Sequence, residues 1–250
     1  MKSQLDLKQL VLALPAAFLL LSADRLAPDR FPPQRVIVKD FQEAAPVLPS
    51  VDEGRFGRPG DPLNLVFVGS PRAVRKALTA AGWIEIPTSL RGALAAGMVP
   101  MNDYRLLGRR QSMNWALPVR PLSERHHFRL WNTGMTDGQG RSYWWGTGNY
   151  DLSIRWSDFS HTPDPDMDRE RDYVASSLAR SPLLDSIVVL PLPQIPAEGV
   201  NDKGYRYRTD GRAAVIVLKR ERPAAGPSRS KAPVAARIPA APRARPAARR

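Results

Sequence analysis

The stretch Leu63-Asn-Leu-Val-Phe-Val-Gly-Ser-Pro-Arg-Ala-Val-Arg-Lys-Ala-Leu-Thr-Ala-Ala-Gly82 decides the fold class of this chain of 250 residues. Its first residues are mostly apolar and end at Gly69, which predicts a buried strand. Ser70 as the cap and Pro71 at the first helical position predict a helix through 73–81 that ends at Gly82. A second strand is predicted at 83–87, so the segment forms a strand–helix–strand unit.

Outward from this unit, the chain has more predicted strands than helices. Helical patterns occur at 88–98 and from Pro165 to about Arg180, with Asp164 as the cap of the second helix. Because helices interrupt a strand-rich chain without regular alternation, the sequence predicts a single α+β domain with a mixed, largely antiparallel sheet, two or three helices and disordered ends. The predicted strands are 104–107 paired with 112–116, a hairpin of 126–132 and 142–154 turned at Asp137-Gly138, 186–192 and 207–218.

The first residues predict export. Lys2 and Lys8 precede an apolar run from Leu10 to Leu21. As a helix this run would span roughly 18 Å, less than the ~30 Å core of a bilayer. The pattern is typical of a signal peptide in residues 1–23 or of a short N-terminal anchor, and a buried N-terminal helix is the alternative. Export would place the protein in the periplasm, or at the inner membrane facing the periplasm.

Composition separates the ends of the chain from its middle. Residues 24–60 are rich in proline and arginine and indicate a spacer, in which Arg35–Lys39 resembles an edge strand. Residues 221–250 consist mainly of alanine, proline, arginine and serine, which predicts a disordered basic tail. The α+β domain is therefore assigned to residues 61–220.

The formal net charge of +13 belongs mostly to the tail. Residues 223–250 hold seven Lys or Arg and no acidic residue, and the body of the chain carries only about +5. A basic tail can bind nucleic acid through counterion release. Behind an export signal, an anionic envelope component or a membrane protein is a better match than nucleic acid, and a purely solubilising extension is the remaining alternative.

Several chemistries are excluded or unsupported by the sequence. The chain has no cysteine, which excludes disulfides, thiolate nucleophiles and cysteine zinc sites. A phosphate-binding loop would have to lie at 69–72, where Gly-Ser-Pro-Arg has one glycine and no lysine. Neither a Gly-x-Ser-x-Gly nor a His-Glu-x-x-His motif occurs. The candidate chemistry must therefore come from histidines, acids and arginines.

All three histidines lie in two stretches, 125–131 and 161–172, together with acids and arginines. Such groups are what a metal site, an acid–base pair or an anion pocket requires. In a strand His127 and Arg129 share one face, and the hairpin places His127 opposite about Gly148, with Asp151 within reach. His126 points the other way with apolar neighbours, so we interpret it as a hydrogen-bonded core histidine.

The acidic run of the second stretch has two interpretations. Acids around the start of a helix are favoured by helix electrostatics without any function. Asp168, Arg171 and Asp172 share one helix face, so they form either part of a site or an ordinary lattice of ion pairs. His161 lies just before this helix and is a further candidate.

Three hypotheses follow for these side chains. In the first, an accessory binding domain holds an anionic ligand, such as a phosphorylated lipid or glycan. Alternatively, a metal-dependent hydrolase of phosphoester substrates uses His127, His161 and Asp168 for a divalent metal, with His127, Asp168 and Asp172 as catalytic candidates. A structural polar network is the third. The candidate ligand-binding residues are Arg125, His127, Arg129, Asp151, His161, Asp168, Arg171 and Asp172.

Five segments resemble the C-terminal domain of LssY-like bacterial proteins, over about residues 60–219. They are 61–69, 107–111, Arg125-His-His-Phe-Arg-Leu-Trp131, 161–172 and 204–218. In that family the domain often follows multi-span membrane modules of the lipid-phosphatase or DedA-like kind. The resemblance thus implies an envelope setting, and it brings no catalytic residues to this chain.

Overall fold

The computed structural model describes residues 36–37, 41, 45–87, 89–95, 103–120, 123–155 and 160–220. The part of the chain that ends at Arg220 forms one compact unit. The predicted signal peptide at 1–23 and the predicted disordered tail at 221–250 lie outside the described residues, as does the predicted spacer up to residue 35.

Strands dominate the described residues. In chain order the elements are β1 (Val36–Ile37), β2 (Val51–Glu53), β3 (Pro59–Pro62), β4 (Leu65–Val68), α1 (Pro71–Ala80), β5 (Ile84–Glu85), α2 (Leu90–Ala95), β6 (Arg105–Leu106), β7 (Arg109–Arg110), β8 (Met113–Arg120), β9 (Glu124–Thr136), β10 (Ser142–Arg155), β11 (Ser160–Pro163), α3 (Met167–Leu178), β12 (Leu184–Pro191), β13 (Glu198–Val200), β14 (Arg206–Arg208) and β15 (Arg212–Leu218). Within these ranges no helix has the length and apolar character needed to cross a membrane.

Nine of the described strands form the main sheet, and seven of them follow one another in the order β12-β15-β4-β10-β9-β8-β5. β11 extends it beside β10, and β1 pairs with the end of β9. The pairs β15–β4 and β1–β9 are parallel, and the other pairs are antiparallel. The predicted α+β class, with a mixed and largely antiparallel sheet, is confirmed, and so is the edge strand within 35–39.

Two apolar layers cover the two faces of this sheet. On one face, Phe67 and Phe128 pack against Val74 and Leu78 of α1 and against α3. On the other face, Trp131 and other large side chains pack against the segments before β4 and after β12. Because both faces of the sheet are covered, polar side chains of the central strands β9 and β10 that point into either layer are removed from water.

Local capping chemistry positions α1 as predicted. The Ser70 hydroxyl accepts a hydrogen bond from the Ala73 backbone N–H, and Pro71 occupies the first helical position. This contact satisfies one of the amide groups that a helix leaves unpaired at its start. The face of α1 that packs on the sheet carries Ala73, Val74, Ala77 and Leu78.

We expect Ser70→Ala to lower the free energy of unfolding by about 1 kcal/mol, because the Ala73 amide loses its acceptor. Urea denaturation of the two proteins measures this difference. Thr79→Ala, an exposed change later in the same helix, should alter stability by less than ~0.5 kcal/mol. Equal stability of Ser70→Ala and the parent protein would contradict the capping role.

The predicted pairing of 104–107 with 112–116 is wrong. β6 pairs instead with β7 across a two-residue turn, in which Leu107 and Gly108 have φ values of 52° and 73°. Positive φ at both central residues closes a tight hairpin, which leaves no residues for the longer loop that we predicted. β8 is therefore free to pair with β5 and β9.

The predicted cap of α3 is displaced by two residues. Asp166 caps the helix by accepting from the Asp168 backbone N–H, and α3 begins at Met167. The Asp164 carboxylate instead accepts from the Asp166 backbone N–H, which makes the local turn that acidic residues favour. The helix therefore starts after Pro165 and not at it.

Two boundaries also differ from the sequence-based assignment. Ala45 and Leu48 are buried and β2 pairs with β3, so the folded region extends N-terminally beyond the predicted start at Asp61. The predicted strand 207–218 is divided into β14 and β15 by a bend whose Gly211 has φ 71°. This bend carries Thr209 and Asp210, which contact α3.

Candidate functional site

Strand β9 presents polar side chains to both sides of the sheet. Its alternation places His127 and Arg129 on one side and His126 with Phe128 on the other, as predicted. In the register of β9 with β10, His127 lies opposite Asn149 and Arg125 lies opposite Asp151. The prediction that the hairpin brings His127 and Asp151 within reach is confirmed, since His127 Nδ1 lies 3.4 Å from Asp151 Oδ2.

Asp151 is the centre of a buried group of charges. Its Oδ2 accepts a hydrogen bond of 2.7 Å from Arg125 Nε and lies 3.8 Å from His161 Nδ1. All of these residues are buried. We define the central polar cluster as Asp61, Tyr104, Arg125, His127, Arg129, Asp151, His161 and Lys203.

Arg129 has an incomplete set of partners inside this cluster. Its guanidinium carbon lies 4.2 Å from the centre of the Tyr104 ring, and its Nη1 is 3.8 Å from Asp61 Oδ2. Among the described residues, neither Nε nor Nη1 has a hydrogen-bond partner, although the side chain is only 5% exposed. Buried donors of a charged group are expensive to leave unpaired. The site therefore holds cationic N–H groups that can still donate.

The turn between β13 and β14 lies over the cluster and is held by polar contacts. Asn201 Nδ2 donates to Asp61 Oδ1 at 2.9 Å, and the Tyr104 hydroxyl donates to Asp202 Oδ1 at 2.8 Å. Lys203 Nζ lies 5.8 Å from the centre of the Tyr104 ring. We call residues 198–208 the covering hairpin.

The electrostatics of the cluster follow from its burial. Burial lowers the pKa of His127 well below its usual range, and the nearby Asp151 carboxylate offsets this only in part. Burial and the neighbouring Arg129 charge also lower the pKa of Lys203. Burial opposes the ionisation of Asp151, but the charges of His127 and Arg125 hold its pKa below the usual value. An ionised carboxylate thus coexists with cations that are only partly neutralised.

A buried acid beside the cluster was missed from sequence. Asp52 Oδ1 accepts from the Asp61 backbone N–H at 2.8 Å, and Asp52 Oδ2 has no partner among the described residues. Burial and the charge of Asp61 raise the pKa of Asp52 well above its usual value. The carboxyl therefore favours its neutral form and adds little negative charge to the cluster.

Asp168, Arg171 and Asp172 occupy a different place. Arg171 donates to Asp168, Asp172 and Asp210, with distances of 3.0, 2.8 and 2.6 Å. Asp168 accepts in addition from the Thr209 hydroxyl and the Asp210 backbone N–H. These contacts tie α3 to the bend between β14 and β15. The candidate residues therefore fall into two groups. The central polar cluster contains Arg125, His127, Arg129, Asp151 and His161, and the ion-pair lattice on α3 contains Asp168, Arg171 and Asp172.

A metal site requires several ligand side chains around one point. Over the described residues, no group of three or more His, Asp or Glu side chains is arranged to hold a metal ion. His127 and His161 approach the same oxygen of Asp151, but Asp168 belongs to the lattice with Arg171. The residues predicted for a metal do not form one coordination site in this structure.

The opposite side of the sheet holds an acid that sequence reasoning missed. Glu170 of α3 is 1% exposed, and its Oε2 lies 2.6 Å from His126 Nδ1. His126 is thus hydrogen-bonded, as predicted, but its side chain is 16% exposed and lines a pocket. The burial of Glu170 could have been predicted from its spacing in the sequence. It lies three residues after Met167 and four before Val174, so it shares the buried face of α3 with them.

Comparisons with known proteins address the family of this chain. No significant match was found among curated proteins or among solved structures. The model of the family described as LssY C-terminus matches residues 45–213. This range covers the strands that carry the central polar cluster, and it includes the buried Ala45 and Leu48 ahead of β2. The chain therefore belongs to the LssY C-terminus family.

Proposed function

We propose that this protein is an envelope-associated accessory domain that binds an anionic ligand, a phosphorylated lipid or glycan headgroup, at the central polar cluster. The observation that carries the proposal is that Nε and Nη1 of the buried Arg129 have no hydrogen-bond partner among the described residues. They point to an acceptor that is not among the described side chains.

Phosphate oxygens are suitable acceptors for these donors. A guanidinium presents N–H groups in a planar fork that matches two phosphate oxygens, and charge-assisted hydrogen bonds are about twice as strong as neutral ones. The ammonium of Lys203 lies 5.8 Å from the centre of the Tyr104 ring, which Arg129 also contacts. A bound anion would reduce the repulsion that lowers the pKa of Lys203.

The covering hairpin supplies the route to the cluster. Its contacts with Asp61, Tyr104 and Arg55 are polar, and the last is an ion pair between Arg55 Nε and Asp202 Oδ2 at 3.2 Å. Polar contacts of this kind can be exchanged for contacts with a charged ligand. Lys203 and Tyr205 are half-buried, and Gly204 between them is exposed. We propose that this turn moves to admit the ligand and that Lys203 then contacts it.

The envelope setting of the proposal is supported by the sequence outside the described residues. Lys2 and Lys8 before the apolar run Leu10–Leu21 are typical of an export signal. In that setting, phosphorylated lipid and glycan headgroups are abundant anions. The hydrolase alternative has less support, because Asp168 is engaged by Arg171 and Thr209.

We expect inorganic phosphate and glycerol phosphate to raise the Tm of the full chain by roughly 2–4 °C for each kcal/mol of binding energy. Arg129→Gln should abolish the Tm shift. Lys203→Gln, at a half-buried position, should weaken the affinity for phosphate at least tenfold. The matched control is Arg120→Gln, because the side chain of Arg120 is 72% exposed. Differential scanning fluorimetry at constant ionic strength, confirmed by calorimetric titration, measures these effects.

The outcome that would overturn this proposal is equal shifts in the parent, Lys203→Gln and Arg120→Gln proteins. An equal effect of potassium chloride would also overturn it, since general screening would then explain the stabilisation. Lys203→Gln keeps the test decisive if Arg129→Gln does not fold.

A further inference from the structure

We propose a second ligand site, independent of the first, in which the pocket between β8, β10 and α3 binds an organic ammonium group through Glu170 and the rings of Tyr150 and Tyr173. The pocket lies on the side of the sheet to which His126 points. It has a volume of about 290 Å³. It is lined by Val119, His126, Tyr150, Asp164, Arg169, Glu170 and Tyr173.

Aromatic rings form much of the wall of this pocket. The His126 and Tyr173 rings are stacked, with centres 3.5 Å apart and planes 1° apart. The Tyr150 ring centre lies 4.6 Å from that of His126, at an angle of 50°. Ring faces attract cations because their π electrons are negative, and Tyr is among the residues that do so well.

A buried carboxyl group supplies the charge. Glu170 Oε2 is bound to His126, but Oε1 is buried and has no hydrogen-bond partner among the described residues. An unpaired buried carboxyl oxygen is costly unless a donor reaches it. An ammonium N–H, or the positive surface of a quaternary ammonium, would satisfy this oxygen.

The other charges at the pocket favour a cation over an anion. Asp164 lines the pocket, and its Oδ2 accepts a hydrogen bond of 2.7 Å from Arg169 Nη1. The one arginine of the lining is thus already paired with a carboxylate. Tyr150 in turn donates its hydroxyl proton to Glu124 Oε2 at 3.2 Å. An anionic ligand would be repelled by the acidic groups of this lining, whose only arginine is already paired with Asp164.

Binding of a cation should release a proton from Glu170. Burial, together with the charges of Asp151 and Asp164, raises the pKa of Glu170 to about 9. Burial lowers the pKa of His126 to about 4, so this imidazole is neutral near pH 7. The titratable and charged groups that line the pocket with Glu170 are His126 of β9, Tyr150 of β10, Asp164 before α3, and Arg169 and Tyr173 of α3. The charge of Asp151 acts on Glu170 from the other face of the sheet.

Choline and its uncharged analogue 3,3-dimethylbutan-1-ol test the site in the full chain. We expect choline to bind at least tenfold more tightly than the alcohol, as measured by NMR or calorimetric titration. Between pH 6.5 and 8.5 the affinity for choline should rise at least tenfold, and buffers of different ionisation enthalpy should reveal proton release. Glu170→Gln should weaken choline binding at least tenfold and remove the pH dependence.

Two further variants separate the site from general effects. Tyr173→Leu changes a side chain that is partly exposed, and it should weaken choline binding several-fold in a folded protein. Glu85→Gln, at an exposed ion pair with Arg75, should leave binding unchanged. Phosphatidylcholine vesicles, compared with phosphatidylglycerol vesicles, distinguish a lipid headgroup from a free amine as the source of the ammonium.

Equal affinities for choline and the alcohol would overturn the proposal, because the pocket would then be only an apolar cleft. Unchanged choline binding in both Glu170→Gln and Tyr173→Leu would also overturn it. Neither result bears on phosphate binding at the central polar cluster, so the two proposals fail separately.

Discussion

Asp151→Ala is expected to lower the free energy of unfolding by about 3–5 kcal/mol, the cost of leaving a buried charge without its partner. Asp151 accepts from Arg125 Nε at 2.7 Å and lies within 4 Å of two histidines. Its removal leaves the buried Arg125 guanidinium without this counter-ion. The lost interaction cannot be replaced by water unless the cluster opens.

Urea denaturation of Asp151→Ala and the parent protein measures this loss. Asp185→Ala is the matched control, because Asp185 forms an exposed pair with Arg141 at 3.5 Å and should contribute less than ~1 kcal/mol. The double variant Arg125→Met with Asp151→Leu should recover part of the stability, since two apolar groups replace both charges. A loss below ~1 kcal/mol for Asp151→Ala would show that the cluster is hydrated.

Glu170→Gln is expected to stabilise the protein increasingly as the pH rises from 6.5 to 9. The folded-state pKa of Glu170 is about 9, against an ordinary value of 4.5. The folded state therefore binds more protons than the unfolded state in this interval, and stability falls with pH by about 1.4 kcal/mol per unit. Glutamine retains an N–H donor for His126 and cannot ionise, so it removes this loss.

The histidine partner modifies the profile at lower pH. The pKa of His126 falls from 6.5 to about 4 on folding, so stability rises with pH between these values. This rise offsets the fall due to Glu170 between 4.5 and 6.5. The net loss in the parent protein should therefore appear above pH 6.5 and reach on the order of 3 kcal/mol by pH 9.

Denaturation at pH 6.5, 7.5 and 8.5 tests this prediction through the difference between Glu170→Gln and the parent protein. Other groups that titrate in this pH range contribute equally to both proteins, so their effects cancel in the difference. Glu85→Gln should show a difference that does not change with pH. Parallel profiles for the parent and Glu170→Gln would mean that Glu170 is ionised throughout.

The parts of the fold that depend on local chemistry were predictable. Ser70 and Pro71 define the start of α1 through contacts within one turn, and the alternation of β9 assigns His127 and His126 to opposite faces. The predicted turn at Asp137-Gly138 places His127 opposite about Gly148, and the observed partner is Asn149. The approach of His127 to Asp151 could therefore be counted from the sequence.

The parts that depend on distant contacts were not predictable in the same way. Asp61, Tyr104 and Lys203 reach the central polar cluster from segments far apart in the chain, and no periodicity indicates that they meet. The sequence pattern left open whether the acids of α3 belong to a site or to an ion-pair lattice. In the structure, Asp168 forms an ion pair with Arg171 and accepts a hydrogen bond from Thr209. Thr209 lies in a bend whose position could not be read from the sequence.

The placement of His126 and His127 on opposite faces makes the length of β9 as important as its composition. Deleting or inserting one residue ahead of them would exchange the two imidazoles between the sides of the sheet. After an insertion, His126 would approach Asp151 and Glu170 would lose its imidazole partner. A substitution can disable one of the two proposed sites alone, whereas a one-residue insertion or deletion in β9 would disturb both at once. In a deep mutational scan, the half-buried positions of β9 should thus accept replacements, whereas no position of the strand should accept a change in length.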